Sequence, residues 1–201
     1  NIVQSDDEVP VSKSAKEKVH VVEKTDAVQN AIRVGRVLFN KKHPDFMGLQ
    51  VLNTVLGGYF GSRLMANIRE DKGYTYGIGS FVVSMRNSGY FTVSSEVGAD
   101  VCKDALNEVK IEIKRLQEDL IPDKELDRVR NYLLGEVMRS IEGPFALSDN
   151  LWSLLEYNMD YAYFDKFIDV IKTVTPSKLR DLAGKYLSEE SLYEVIAGKY
   201  D

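Results

Sequence analysis

Residues 56 to 80 read Leu56-Gly-Gly-Tyr-Phe-Gly-Ser-Arg-Leu-Met-Ala-Asn-Ile-Arg-Glu-Asp-Lys-Gly-Tyr-Thr-Tyr-Gly-Ile-Gly-Ser80. This stretch decides the fold. Its middle is helix-like, and its second half becomes a strand rich in Tyr and Gly. Gly57, Gly58, Gly61, Gly73, Gly77 and Gly79 crowd both ends. Glycine loses more conformational freedom on folding than any other residue, so such crowding marks tight backbone geometry or close approach of another backbone. Arg69 and Tyr76 stand seven positions apart across the switch from helix to strand. A guanidinium and a phenol are both hydrogen-bond donors to carbonyl oxygen, and neither needs a metal to act so. Spacing alone does not bring the two together. Arg69 is equally at home as a cation at a helix C-terminus, and Tyr76 as a strand aromatic.

Outward from this block, the chain reads on both sides as regular structure. Upstream, Val19 to Glu23 and Ala31 to Phe39 read as strands, the second apolar on both faces and therefore interior. Lys41 to Asp45 is a turn, followed by Phe46, Leu49, Leu52, Asn53 and Leu56 at helical spacing and ended by Gly57-Gly58. Ser62 is placed to cap a second helix over Arg63 to Asp71, which Gly73 ends. Tyr74 to Val83 and Tyr90 to Val97 form a hairpin around Arg86-Asn87-Ser88-Gly89. Asp100 is placed to cap a helix with Ala105, Leu106, Val109, Ile113 and Leu116 on its apolar side, and Glu108 and Glu112 among the charges on its solvent side. Pro122 opens the next helix, which Gly143-Pro144 breaks. Two more helices follow, through Leu147 to Leu155 and Phe164 to Ile171. Thr175-Pro176 starts a last one, and Ser191 to Ala197 reads as a final strand.

Strands joined by short turns favour antiparallel pairing, and a long helical run needs a sheet face to bury its apolar stripes. The expected fold is therefore α+β, a two-layer sandwich of a mainly antiparallel sheet with helices on one face. Residues 1 to 18, polar with Asp6-Asp7-Glu8 and three lysines, read as a linker or solvated tail. Residues 19 to 201 read as one domain. The chain begins at Asn1, which suggests a piece of a longer protein.

Composition excludes several classes of function. The 26 basic against 31 acidic residues leave a net charge of −5, with no basic block to hold nucleic acid. No apolar run approaches the ~20 residues of a membrane span. The single cysteine, Cys102, excludes an internal disulfide and a cysteine-built zinc site; it reads as a small core residue. The two histidines can be taken in turn. His20-Val21-Val22-Glu23-Lys24 superficially has the shape of His-x-x-Glu-His, but it lies in a Val-rich strand, where His20 and Glu23 point to opposite faces, and Lys24 is a poor ligand. His43 reads as a solvated loop residue. The Gly57 to Arg63 segment follows no strand and lacks the Gly-Lys-Ser/Thr ending of a phosphate loop.

Leu56-Gly57-Gly58 through Gly73-Tyr74-Thr75-Tyr76-Gly77 resembles the second-domain signature of the insulinase/pitrilysin-type zinc metallopeptidases, which include the mitochondrial processing peptidases. Gln29 to Gly35, Pro44-Asp45-Phe46, Asn131 to Glu136 and Thr175-Pro176 extend the resemblance over residues 19 to 200. It implies the LuxS/processing-peptidase-like metallohydrolase fold, with a sheet of about six strands. It also implies a metal-free domain of a zinc peptidase that closes the proteolytic chamber and contacts the peptide substrate. No cofactor is expected in this segment. Zinc is expected in a companion domain or subunit carrying His-x-x-Glu-His, in a possible homo- or heterodimer. Arg69 and Tyr76 match the family's substrate-binding Arg and Tyr, and no catalytic or metal-ligating residue is expected here. The alternative within the same superfamily is an inactive scaffold or interaction subunit.

Overall fold

The structure, a computed structural model, describes residues 15–200, so most of the expected linker, residues 1–14, lies outside the described residues. Five strands form one sheet: β1 (Val19–Glu23), β2 (Gln29–Leu38), β3 (Thr75–Ser84), β4 (Gly89–Gly98) and β5 (Tyr193–Gly198). The helices are α1 (Phe46–Asn53), α2 (Cys102–Glu118), α3 (Asp123–Ser140), α4 (Pro144–Leu155), α5 (Ala162–Thr173) and α6 (Pro176–Tyr186). The α+β class and the single helical layer hold. The described sheet has five strands where the resemblance implied about six.

The strand order is β1-β5-β2-β4-β3. The β3–β4 hairpin is tight, with Met85 N–H donating to Ser88 O. β2 and β4 pair antiparallel along their full length, Gln29 opposite Gly98 and Leu38 opposite Gly89. The C-terminal β5 inserts between β1 and β2, antiparallel to β2 and parallel to β1. β1 and β2 are consecutive in sequence but not neighbours, against the expectation for strands joined by a short turn. Residues 15–18 lead into β1 and touch β5: Lys18 O accepts from Glu194 N–H, and the Lys18 ammonium lies over the Tyr193 ring.

Period-two alternation sends Ile32, Val34, Phe91, Val93, Val97, Ile78 and Ile196 to one face, where they are buried under the helices. α2 lies over β2 and β4, α1 over β3, and α6 packs on both helices. Val109, Ile113 and Leu116 of α2 meet this core together with Leu179, Leu182 and Ala183 of α6. The other face is open: Val37, Phe81, Tyr90 and Val195 are exposed on it.

The start of α1 is tied to α6 by Asp45. Its carboxylate accepts from Lys185 Nζ at 2.8 Å and Tyr186 Oη at 2.7 Å, with Lys178 Nζ at 3.7 Å. These partners hold the Asp45 carboxyl down at about 2. Beside it His43 is half-buried rather than solvated. Its ring stacks on Phe39 at 3.5 Å, and Nδ1 accepts the Asp45 N–H at 3.1 Å. At the other end of the chain Thr175 caps α6 as expected, its Oγ1 accepting from Lys178 N–H. Asp100 caps nothing, because a 3₁₀ turn over Ala99–Val101 precedes α2.

Candidate functional site

The glycine-rich block folds as two π-helical segments and the start of a strand. The first, Thr54–Gly58, continues α1; the second, Met65–Asp71, leads toward β3. Such segments are rare, and each turn holds one residue more than an α-turn. In the second, Lys72 N–H reaches back five residues to Asn67 O, and Tyr74 N–H six residues to Ile68 O. The expected α-helix over Arg63 to Asp71 is thus mostly π-helical. Ser62 does not cap it, since its Oγ is buried without a hydrogen-bond partner among the described residues.

Side chains and backbone contacts force this geometry. Asn53 Nδ2 donates to Ser80 O at 3.0 Å, Ser80 Oγ returns a bond to Asn53 O at 3.3 Å, and Gln50 Nε2 donates to Val82 O. A Cβ on Gly57 would stand 2.7 Å from both Ser80 N and Ser80 Oγ, so only glycine lets the first π segment lie against β3.

The second segment is held from the other side. Arg63 grips Glu125 of α3 with two bonds of 2.8 and 2.9 Å. Asn67 Nδ2 donates to Glu108 Oε2 at 2.9 Å and to Glu112 Oε1 at 2.8 Å, both on α2. Lys72 Nζ adds a bond to Glu108, and Arg115 Nη1 one to Glu112 at 2.7 Å. Bonds from Asn67 and Lys72 hold the Glu108 carboxyl below its ordinary range. Glu112 does not sit on the solvent side of α2: it is only 3% exposed. A buried carboxylate needs partners, and Asn67 and Arg115 supply them.

At Gly73 the backbone enters the left-handed region, with φ of 68°, and the chain turns into β3. The first residues of β3 are bulged. Thr75 pairs with Val97 and Ile78 with Ser95, so Tyr76 and Gly77 together face Glu96 alone. Two hydroxyls stitch the bulge. Thr75 Oγ1 lies 2.6 Å from Glu96 O and receives the Gly77 N–H at 3.1 Å; Ser95 Oγ donates to Gly77 O at 2.9 Å and lies 3.0 Å from Thr75 Oγ1.

Arg69 and Tyr76 thus flank the turn at Gly73. The Arg69 guanidinium lies 4.8 Å above the Phe60 ring, itself 65% exposed, and has no ion pair among the described residues. Tyr76 is 91% exposed, and its hydroxyl bonds to no described residue. Sequence reasoning singles out these two and not Asn67, Glu112, Thr75 and Ser95, which shape the backbone around them. Among the described residues no group of three or more His, Cys, Asp or Glu could hold a metal ion. His20 lies at β1 with Nε2 against Glu17 O, and Cys102 is buried, its thiol pushed up by desolvation. No described helix is long and apolar enough to cross a membrane.

Comparison with known proteins adds four findings. Residues 4–133 match the family model described as the peptidase M16 inactive domain. An uncharacterized zinc protease of Bacillus subtilis, YmxG, is 29% identical over 156 residues, covering 77% of this chain and 38% of the relative. The fold superposes on a peptidase M16 inactive domain from Pseudomonas fluorescens with a TM-score of 0.83 at 24% identity, over 91% of this chain and 44% of the other. It also superposes on a protease from Helicobacter pylori with a TM-score of 0.82 at 18% identity, over 89% of this chain and 43% of the other. The chain spans less than half the length of these relatives.

Proposed function

The chain belongs to the peptidase M16 inactive-domain family, and on that premise we propose that it is the substrate-contacting, metal-free wall of a zinc peptidase's proteolytic chamber. The described residues do not fit a zinc ion, so the metal and the attack on the peptide belong to a companion domain or subunit. This chain's own part is to hold the substrate. Tyr76 Oη and the Arg69 guanidinium donate hydrogen bonds to a peptide carbonyl oxygen, and the guanidinium adds positive charge where that oxygen becomes more negative.

The observation that carries this reading is the state of Tyr76. A tyrosine that is 91% exposed, raised on a bulge and with its hydroxyl bonded to no described residue contributes little to the fold. Gly77 beside it supports the reading, because a Cβ there would meet nothing within 4 Å. The fold does not require glycine at that point, and a second backbone passing close by would.

The test is Tyr76→Phe in the full-length protein, with cleavage of a quenched-fluorescent peptide and thermal melting read on the same sample. Losing one donor to a developing oxyanion costs about 2.7–4 kcal/mol in the transition state, so turnover should fall roughly a hundredfold or more. The melting temperature should hold. Arg69→Lys should also be poor, because an ammonium cannot reproduce the planar fork. Full turnover in Tyr76→Phe would remove the reading.

A further inference from the structure

We infer that Thr75 and Ser95 are positioning residues whose hydroxyls hold the β3 bulge open and so decide which face of the sheet Tyr76 presents. The inference rests on the substrate-contacting role proposed above for Tyr76, and it goes beyond it by naming what holds that side chain in place.

Parity is the first argument. On β4 the odd-numbered residues Phe91, Val93, Ser95 and Val97 are buried beneath the helices. Ile78, opposite Ser95, and Ser80, opposite Val93, are buried with them. Were β3 regular back to its first residue, Gly77 would stand opposite Glu96 and Tyr76 opposite Val97. Side chains alternate strictly along a strand, so Tyr76 would then share the face of Ile78 and Val97 and point into the helical layer. Instead Thr75 stands opposite Val97, and the extra residue leaves Tyr76 in solvent.

The second argument is that two side-chain hydroxyls bond to backbone groups of the bulge. A bulge disrupts the ladder and leaves backbone groups that need other partners. Thr75 Oγ1 donates its single proton to Glu96 O and accepts from Gly77 N–H. Ser95 Oγ donates to Gly77 O. Two hydroxyls thus serve the N–H and C=O of Gly77 and the C=O of Glu96. Ser95 is a buried polar residue on an otherwise apolar row, and this is what it is for. Without either hydroxyl, backbone groups lose partners that a one-residue slip back to regular pairing would restore, at the expense of turning Tyr76 inward.

The experiment uses the full-length protein with 3-fluorotyrosine placed at position 76. Thr75→Val keeps the shape and removes the hydroxyl, Ser95→Ala removes the second hydroxyl, and Thr75→Ser returns the oxygen. Fluorine spectra report where the ring lies, melting curves report folding, and a quenched-fluorescent peptide reports kcat/KM. Thr75→Val and Ser95→Ala should shift or split the fluorine signal and lower kcat/KM roughly tenfold, the loss expected for a hydrogen bond. Thr75→Ser should recover both readouts. A merely structural role would lower melting without moving the fluorine signal of the folded fraction, and that result overturns the inference. So does an impaired Tyr76→Phe beside an unimpaired Thr75→Val. If Tyr76→Phe itself keeps wild-type turnover, the substrate reading falls, and the fluorine spectra alone decide the bulge: unchanged in both hydroxyl variants, they overturn it. If Thr75→Val does not fold, Ser95→Ala is judged by the same criteria.

Discussion

Replacing Asn67 by alanine removes the two bonds that fasten the second π-helical segment to α2. Both go to carboxylates, at 2.9 Å to Glu108 and 2.8 Å to Glu112. Bonds to charged groups are worth about 1.5–3 kcal/mol each. The lower figure suits Glu108, which keeps Lys72; for Glu112 the retained Arg115 limits the loss in the same way. The sum is about 3 kcal/mol, less about 0.5 kcal/mol for the better helix propensity of alanine. The expected net loss is about 2.5 kcal/mol, or a fall in melting temperature of roughly 5–10 °C for a chain of this size. Urea unfolding at neutral pH measures it. The loss also has a pH signature. Asn67 lowers the Glu108 pKa in the folded state, so its contribution is present above the unfolded value of about 4.3 and disappears as pH falls through the lower folded value. The gap between wild type and variant should therefore narrow below about pH 4. A neutral-pH loss under about 1 kcal/mol, or a gap that stays constant into acid, would refute the network's role.

Gly57→Ala should cost about 1–3 kcal/mol by driving a methyl into the Ser80 backbone, and an unchanged melting curve would show that the contact is not tight. Gly77→Ala should leave stability within about 0.5 kcal/mol, since its Cβ meets open space, yet lower turnover of the full-length protein about tenfold if a substrate backbone passes there. Equal turnover would remove the close approach. Asp45→Asn should cost about 1 kcal/mol at neutral pH, discounted for the exposed Lys185 and Lys178, with the cost vanishing between about pH 4 and pH 2 as the wild-type carboxyl protonates. A cost that persists at pH 2 would point to shape rather than charge.

Local signals carried most of the fold. The alternation in β2, the hairpin at Arg86 to Gly89, the Thr175-Pro176 start of α6 and the glycine-bounded block all appear where their spacing puts them. What sequence order hid was long-range: β5 takes the place beside β2 that a simple meander would give β1, and no residue in β1 announces it. Glu112 was misplaced for a related reason. Helical periodicity marks charges as outward; the bonds from Asn67, arriving from another segment, and from Arg115 make a buried carboxylate tolerable. His43 went the same way, because its stacking partner Phe39 lies at the end of a strand and not on its own turn. At the candidate site, residue types were legible and geometry was not. Arg69 and Tyr76 are hydrogen-bond donors by type, and only the family resemblance gives them a role; the π-helical spacing and the bulge depend on pairings with β4 and α2.

The two π-helical segments bear on how this region tolerates change in chain length. Each houses one residue more than an α-turn spanning the same fixed ends, so each can be regarded as an insertion already accommodated. Deleting a single residue between Leu64 and Asp71 would not sever the helix. It would let it wind down to ordinary α geometry, with the anchors at Arg63 and Gly73 left in place. The residues inside the segment would, however, be re-spaced to about 100° apart around the axis, and Arg69 with them. In this stretch chain length sets the compass bearing of the guanidinium, so a shortened relative could keep the same fold and the same residues while aiming its arginine elsewhere.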